Sequence, residues 1–120
     1  MRDYDKLAIC ERDGFEVIVD KTYEDIDPWS QLSECFDSKY KLYKDIDSGK
    51  YDWFMLRVRV MFDGHEMGSH YLGGCLYENP ADVLKDGTAE DCIAEALREA
   101  KQEVKRLKEK LDKLTLEEVA

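Results

Sequence analysis

Residues 51–77, YDWFMLRVRVMFDGHEMGSHYLGGCLY, restrict the fold more than any other stretch of the chain. Phe54, Leu56, Val58, Val60 and Phe62 alternate with Trp53, Met55, Arg57, Arg59 and Met61, the two-residue period of a strand with different faces. Asp63-Gly64 follows, the favoured pair for a two-residue type I′ hairpin, and the chain then runs back. A turn of that kind pairs residues whose numbers sum to 127, so Val60 faces Met67, Leu56 faces Tyr71, Phe54 faces Gly73 and Asp52 faces Cys75. The reverse face then carries Trp53 over Gly74, Met55 beside Leu72 and Arg57 beside His70. It is too apolar for plain solvent surface and too basic for plain core.

The second strong signal is a heptad seam. Ile93, Leu97, Ala100, Val104, Leu107, Leu111 and Leu114 step by 4, 3, 4, 3, 4 and 3 residues. Thr88 with Asp91 makes a variant capping box, and the spacing predicts a helix over 89–114, about 40 Å long at 1.5 Å per residue. A small sheet covers the first half of such a stripe. Its end, Val104, Leu107, Leu111 and Leu114, then needs another cover, and a parallel homodimer would set Glu103 against Lys108 of a second copy.

Between these elements the pattern is local. GFEVIVD alternates as a strand, with Phe15, Val17 and Val19 on one side. ENPADVLKDG reads as a short helix, capped by Asn79, with Pro80 in its first turn and Gly87 ending it. DPWSQLSECF opens another with Asp27 as cap and Pro28 first, and SKYKLYKDID holds a further turn or two before DSGK breaks the chain. The expectation is one α+β domain over 1–120: an antiparallel sheet of three or more strands, centred on the 51–77 hairpin and packed on the C-terminal helix. Residues 21–50 form an acidic, aromatic-rich, insertion-like segment, and 105–120 a projecting helix end or oligomerisation segment.

Charge narrows the partners. The chain carries 18 basic and 28 acidic side chains, net −10. Residues 1–100 hold 12 basic against 23 acidic, while 101–113 hold 6 against 3. A negative body repels nucleic acid and favours cationic protein surfaces, so no direct nucleic-acid contact is expected. No apolar run approaches 18 residues and the N-terminus lacks a basic start with an apolar core, which disfavours a membrane span or secretory signal. Cys10, Cys35, Cys75 and Cys92 form no C-x-x-C pair and read as reduced thiols of a cytoplasm.

YEDID at 23–27 returns as YKDID at 43–47. Structurally these suit two capped turns, their aspartates accepting backbone N–H bonds. DIDSGKYD fails as a calcium loop because Ser48, Gly49 and Lys50 interrupt the ligand positions. Functionally, Glu24, Asp25, Asp27, Glu34, Asp37, Asp45 and Asp47 can offer carboxylates where a nucleic acid offers phosphates. Tyr23, Trp29, Tyr40 and Tyr43 supply amphipathic anchors beside them. The competing surface is the sheet face with Trp53, Arg57, Arg59 and His70. His70 near Arg57 and Tyr71, or Cys75 after two glycines, could be drawn as an active site. No nucleophile elbow, phosphate loop or H-x-x-x-H pair supports one, so no catalytic residue, metal or cofactor is expected.

Arg57 to Cys75, written R-V-x-x-x-x-D-G-x-E-x-G-S-x-Y-L-G-G-C, together with the helix opened by DGTAED, resembles a family of small acidic proteins carried by phages and prophages. The resemblance covers residues 51–104. It implies a counter-defence role of the anti-CRISPR or anti-restriction kind: a stoichiometric inhibitor of a host nucleic-acid-binding effector, acting in the bacterial cytoplasm. It assigns no residue a role.

Overall fold

The computed structural model describes residues 3–24, 46 and 48–114. The order is β1 (Asp5–Arg12), β2 (Phe15–Tyr23), β3 (Asp52–Phe62), β4 (His65–Tyr77), a 3-10 turn (Pro80–Leu84) and α1 (Thr88–Leu111). The strands form one antiparallel meander in the order β1-β2-β3-β4, and α1 packs across β4 and β3. This is the expected α+β arrangement, with an N-terminal strand added at one edge.

Both outer hairpins turn on the same chemistry. Asp13 and Gly14 have φ of 53° and 85°, and Asp63 and Gly64 have 49° and 79°. Two successive left-handed residues match the twist of the flanking strands, and an Asp-Gly pair adopts them at little strain. The second turn was expected; RDGF at 12–15 carries the same signal.

The expected register holds only beside the turn. Phe62 pairs with His65 and Met61 with Glu66, but Val60 then faces Gly68, Val58 faces His70, Arg57 faces Tyr71 and Leu56 faces Leu72. A second shift places Phe54 opposite Cys75 and Asp52 opposite Tyr77. Each bulge adds a residue to β4, and a one-residue slip moves every following side chain to the other face. The expected pairs Val60–Met67, Leu56–Tyr71, Phe54–Gly73 and Asp52–Cys75 are thereby corrected.

The first bulge places Gly68 under the helix. A Cβ built there would lie 2.4 Å from the Ala96 carbonyl oxygen and 2.7 Å from the Ala100 nitrogen, so the helix backbone rests on the strand backbone. Around this contact, Val17, Val19, Phe54, Leu56, Val58 and Val60 of the sheet bury against Cys92, Ile93, Ala96, Leu97 and Ala100. At about 1.5–3 kcal/mol per large buried side chain, this layer dominates the stability.

Two local expectations change. The ENPADVLKDG segment is a 3-10 turn, with the Asn79 carboxamide accepting from the Ala81 N–H at 3.1 Å. Helix α1 is capped by Gly87 in the left-handed region (φ 93°) and not through a Thr88 side chain. Asp86 accepts from the Thr88 N–H at 2.9 Å and from the Tyr77 hydroxyl, whose oxygen in turn lies 3.0 Å from the Thr88 hydroxyl and accepts from it, which draws Thr88 into the first turn.

The seam divides as the sheet ends. Ile93, Leu97 and Ala100 are buried, Val104 and Leu107 are half-buried, and Leu111 and Leu114 are 59% and 60% exposed. No helix among the described residues is long and apolar enough to cross a membrane.

Candidate interaction surface

On the sheet face turned away from α1, the register builds rows across all four strands. Glu11 pairs with Glu16, Glu16 with Met61, and Met61 with Glu66. Paired residues share a face, so three exposed glutamates and one methionine span β1 to β4 near the two hairpin turns. With strands about 4.8 Å apart, the row is roughly 14 Å long. Like charges directly opposite are destabilising, which makes the Glu11–Glu16 pair a cost to the fold. None of Glu11, Glu16, Asp63 and Glu66 has an ion-pair partner among the described residues.

Apolar surface accompanies these carboxylates. Ile9, on the same face, is 50% exposed; Phe62 stays 56% exposed on the helix side of the turn, where it meets Phe15 edge-to-face at 6.3 Å. An open groove of about 630 Å³ runs between the turns, lined by residues that include Ile9, Glu11, Phe15, Glu16, Met61 and Phe62.

Other acids are neutralised locally. Arg12 donates to both carboxylate oxygens of Glu90 at 2.8 and 2.6 Å, and that hydrogen bonding holds Glu90 below the usual carboxylate range. Lys101 pairs with Asp13 at 2.8 Å and lowers it likewise, chiefly through the hydrogen bond. Together these pairs pin the first turn to the helix. Lys21 pairs with Asp52, and Arg98 with Glu95.

The next rows of the same face are Ile9–Ile18–Arg59–Ser69 and Lys6–Asp20–Arg57–Tyr71. Asp20 is 3% exposed and takes a forked bond from Arg57, Nε at 2.8 Å and Nη2 at 2.7 Å, with Arg59 at 3.4 Å. The Tyr4 ring lies 3.4 Å from the Arg57 guanidinium carbon, and the Thr22 hydroxyl donates to the Asp3 carbonyl at 2.7 Å. The N-terminal residues thus lie over a buried ionic cluster, and bonding to Asp20 raises the Arg57 pKa above its ordinary value.

The structure therefore treats the expected surfaces unequally. Asp25, Asp27, Trp29, Glu34, Asp37, Tyr40, Tyr43, Asp45 and Asp47 lie outside the described residues. Tyr23 is 74% exposed, but seven strand residues, about 23 Å, separate it from the Glu16 row. Glu24 is corrected: it is 5% exposed, and its carboxylate enters the space left by Gly73 and Gly74, accepting from the Gly74 N–H at 2.7 Å. Of the alternative face, Trp53, Arg57 and Arg59 stay together, and the Trp53 ring covers Gly74 as expected. His70 leaves that group, because the bulge turns it to the helix side opposite Val58.

Sequence reasoning missed Glu11, Glu16 and Glu66. The Asp13-Gly14 turn could have signalled the first pair, and the Asp63-Gly64 register gives Met61 opposite Glu66. Among the described residues, no group of three or more His, Cys, Asp or Glu is placed to hold a metal ion.

The fold defines a small α+β domain: a four-stranded meander backed by one helix, with carboxylates and apolar side chains at its turn end. No protein family, curated protein or solved structure matches the chain.

Proposed function

We propose that this protein is a non-enzymatic inhibitor, of the counter-defence kind the phage resemblance implies, which occupies a cationic nucleic-acid-binding surface of a host defence protein. The observation that carries the reading is the Glu11–Glu16–Met61–Glu66 row, a line of carboxylates without ion-pair partners among the described residues, with exposed Ile9 on the same face. Carboxylates form charge-assisted hydrogen bonds with the arginines and lysines that otherwise hold phosphates. Exposed apolar side chains add the desolvated contact that charge alone lacks.

The test uses the full chain as bait in a bacterial lysate, with elution by rising salt and by competing DNA. Capture of a nucleic-acid-binding protein, released by both and lost when Glu11, Glu16 and Glu66 are changed together to Gln, supports the reading. Retention by the triple variant moves the contact elsewhere; an Asp25/Asp27/Asp45/Asp47→Asn variant then tests the tandem pentapeptides.

A second reading rests on Leu111 and Leu114, which continue the buried seam into solvent. An apolar stripe of this kind suits a homo-oligomeric adaptor that pairs through its helix ends.

A further inference from the structure

We infer that the free edge of β1 pairs antiparallel with β1 of a second copy of this chain, joining two four-stranded sheets into one. Among the described residues β1 has a neighbouring strand only on its β2 side, so its other edge presents unpaired main-chain donors and acceptors. An edge of this kind adds a strand when the side chains of the incoming chain agree with its own. This interface does not depend on the cationic partner proposed above, and it leaves the helix ends unused.

Face and charge select the register. Lys6 lies opposite Asp20 and Glu11 opposite Glu16, so both project from the face turned away from α1. Asp5 lies opposite Lys21 and Arg12 opposite Phe15, on the helix side. A regular strand would put Lys6 and Glu11 on opposite faces; the shift between Lys6 and Ala8 adds one residue and brings them to the same one. About a two-fold axis through Ile9, perpendicular to the sheet, Ile9 meets Ile9 of the second copy and Ala8 meets its Cys10. Glu11 then meets Lys6 of the second copy, and Arg12 meets its Asp5. Both charge pairs are of opposite sign, and the symmetry makes each of them twice.

The surface suits such a junction. Asp5, Lys6 and Glu11 are exposed and have no ion-pair partner among the described residues, and Ile9 is 50% exposed between them. Arg12 already holds Glu90, so the Lys6–Glu11 pair carries the selectivity. Lys6 of the second copy also supplies the cation that the Glu11–Glu16 pair lacks. Helix α1 packs across β4 and β3, towards the other side of the sheet, and leaves this edge open to a strand.

The full chain is run by sedimentation velocity over a concentration series, beside Lys6→Glu, Glu11→Lys and an equimolar mixture of these two variants. The native chain should form a dimer. Each single variant sets like charges opposite each other in both symmetry-related pairs and should weaken the dimer about tenfold. In the mixture the acids of one variant meet the lysines of the other, so a heterodimer should return at native strength, which unfolded chains could not do. Leu111→Asp with Leu114→Asp should leave this dimer intact. A native chain that stays monomeric, single variants that dimerise like the native chain, or a mixture that fails to recover the dimer each overturns the edge pairing. Loss of the dimer in the Leu111/Leu114 variant assigns it to the helix ends and overturns the edge pairing as well.

Discussion

Glu11 and Glu16 face each other directly across β1 and β2, both exposed, with no cation between them among the described residues. A sheet selected for stability alone would place opposite charges or a β-branched pair there. Glu16→Gln should therefore stabilise the protein, by about 0.2–1 kcal/mol, while weakening capture of a cationic partner. Urea unfolding beside the salt-elution assay measures both. A variant that is both less stable and fully competent for binding would sink the assignment.

The Asp20–Arg57 fork makes a different demand. Asp20→Asn leaves Arg57 and Arg59 without their shared counter-charge and should destabilise by about 3 kcal/mol or more, while Arg57→Met should cost less because Arg59 stays 3.4 Å from Asp20. Replacing both with leucine should lose less than Asp20→Asn alone, because only Arg59 is then left without its partner. Chemical denaturation of the singles and the double gives the coupling directly.

Gly68→Ala tests the helix–sheet contact. The new methyl would meet main-chain atoms of Ala96 and Ala100, which cannot rotate away. The helix must lift, and a loss of about 1–3 kcal/mol is expected, with a matching drop in melting temperature. Unchanged stability would mean the two backbones are not in contact.

Burial pushes the Cys75 thiol up to about 11 and moves Cys92 in the same direction. A raised folded value means the folded state holds the proton more tightly than the unfolded chain. The stabilisation is complete below the ordinary thiol value near 9 and is lost as pH rises through about 11. Melting temperatures from pH 8 to 11 should fall less steeply for Cys75→Ala. In the native chain at pH 8, an alkylating reagent should label half-buried Cys10 well before Cys75.

Leu111 and Leu114 are exposed enough that Asp at both positions should leave the fold and its melting temperature unchanged. If the helix ends pair, sedimentation should show the native chain passing from monomer to dimer as concentration rises, while the double variant stays monomeric. A native chain that remains monomeric throughout removes the oligomer reading.

The strongest local signals were readable from the residues themselves. Alternation across 51–62, the Asp63-Gly64 turn and the heptad seam established a hairpin and a long helix, because period, turn chemistry and capping act over a few residues. The first strand went unread, since the shift between Lys6 and Ala8 breaks its alternation and Ile9 faces outward at the edge. The β4 bulges were equally silent; they depend on Gly68 yielding to Ala96 and on Gly73-Gly74 admitting Glu24, contacts made with residues 28 and about 50 positions away.

Those long-range contacts decided which side chains share a face. They sent His70 to the helix side and buried Glu24, while the β2–β3 pairing of Glu16 with Met61 joined the two turn-set pairs into one row. The seam shows the same division: its spacing is local, but the point where Leu97 is covered and Leu111 is not is set by where the sheet ends. Sequence period determines which way a side chain leaves its own backbone. Only the register between strands, and the extent of the layer beneath, determines what that side chain meets.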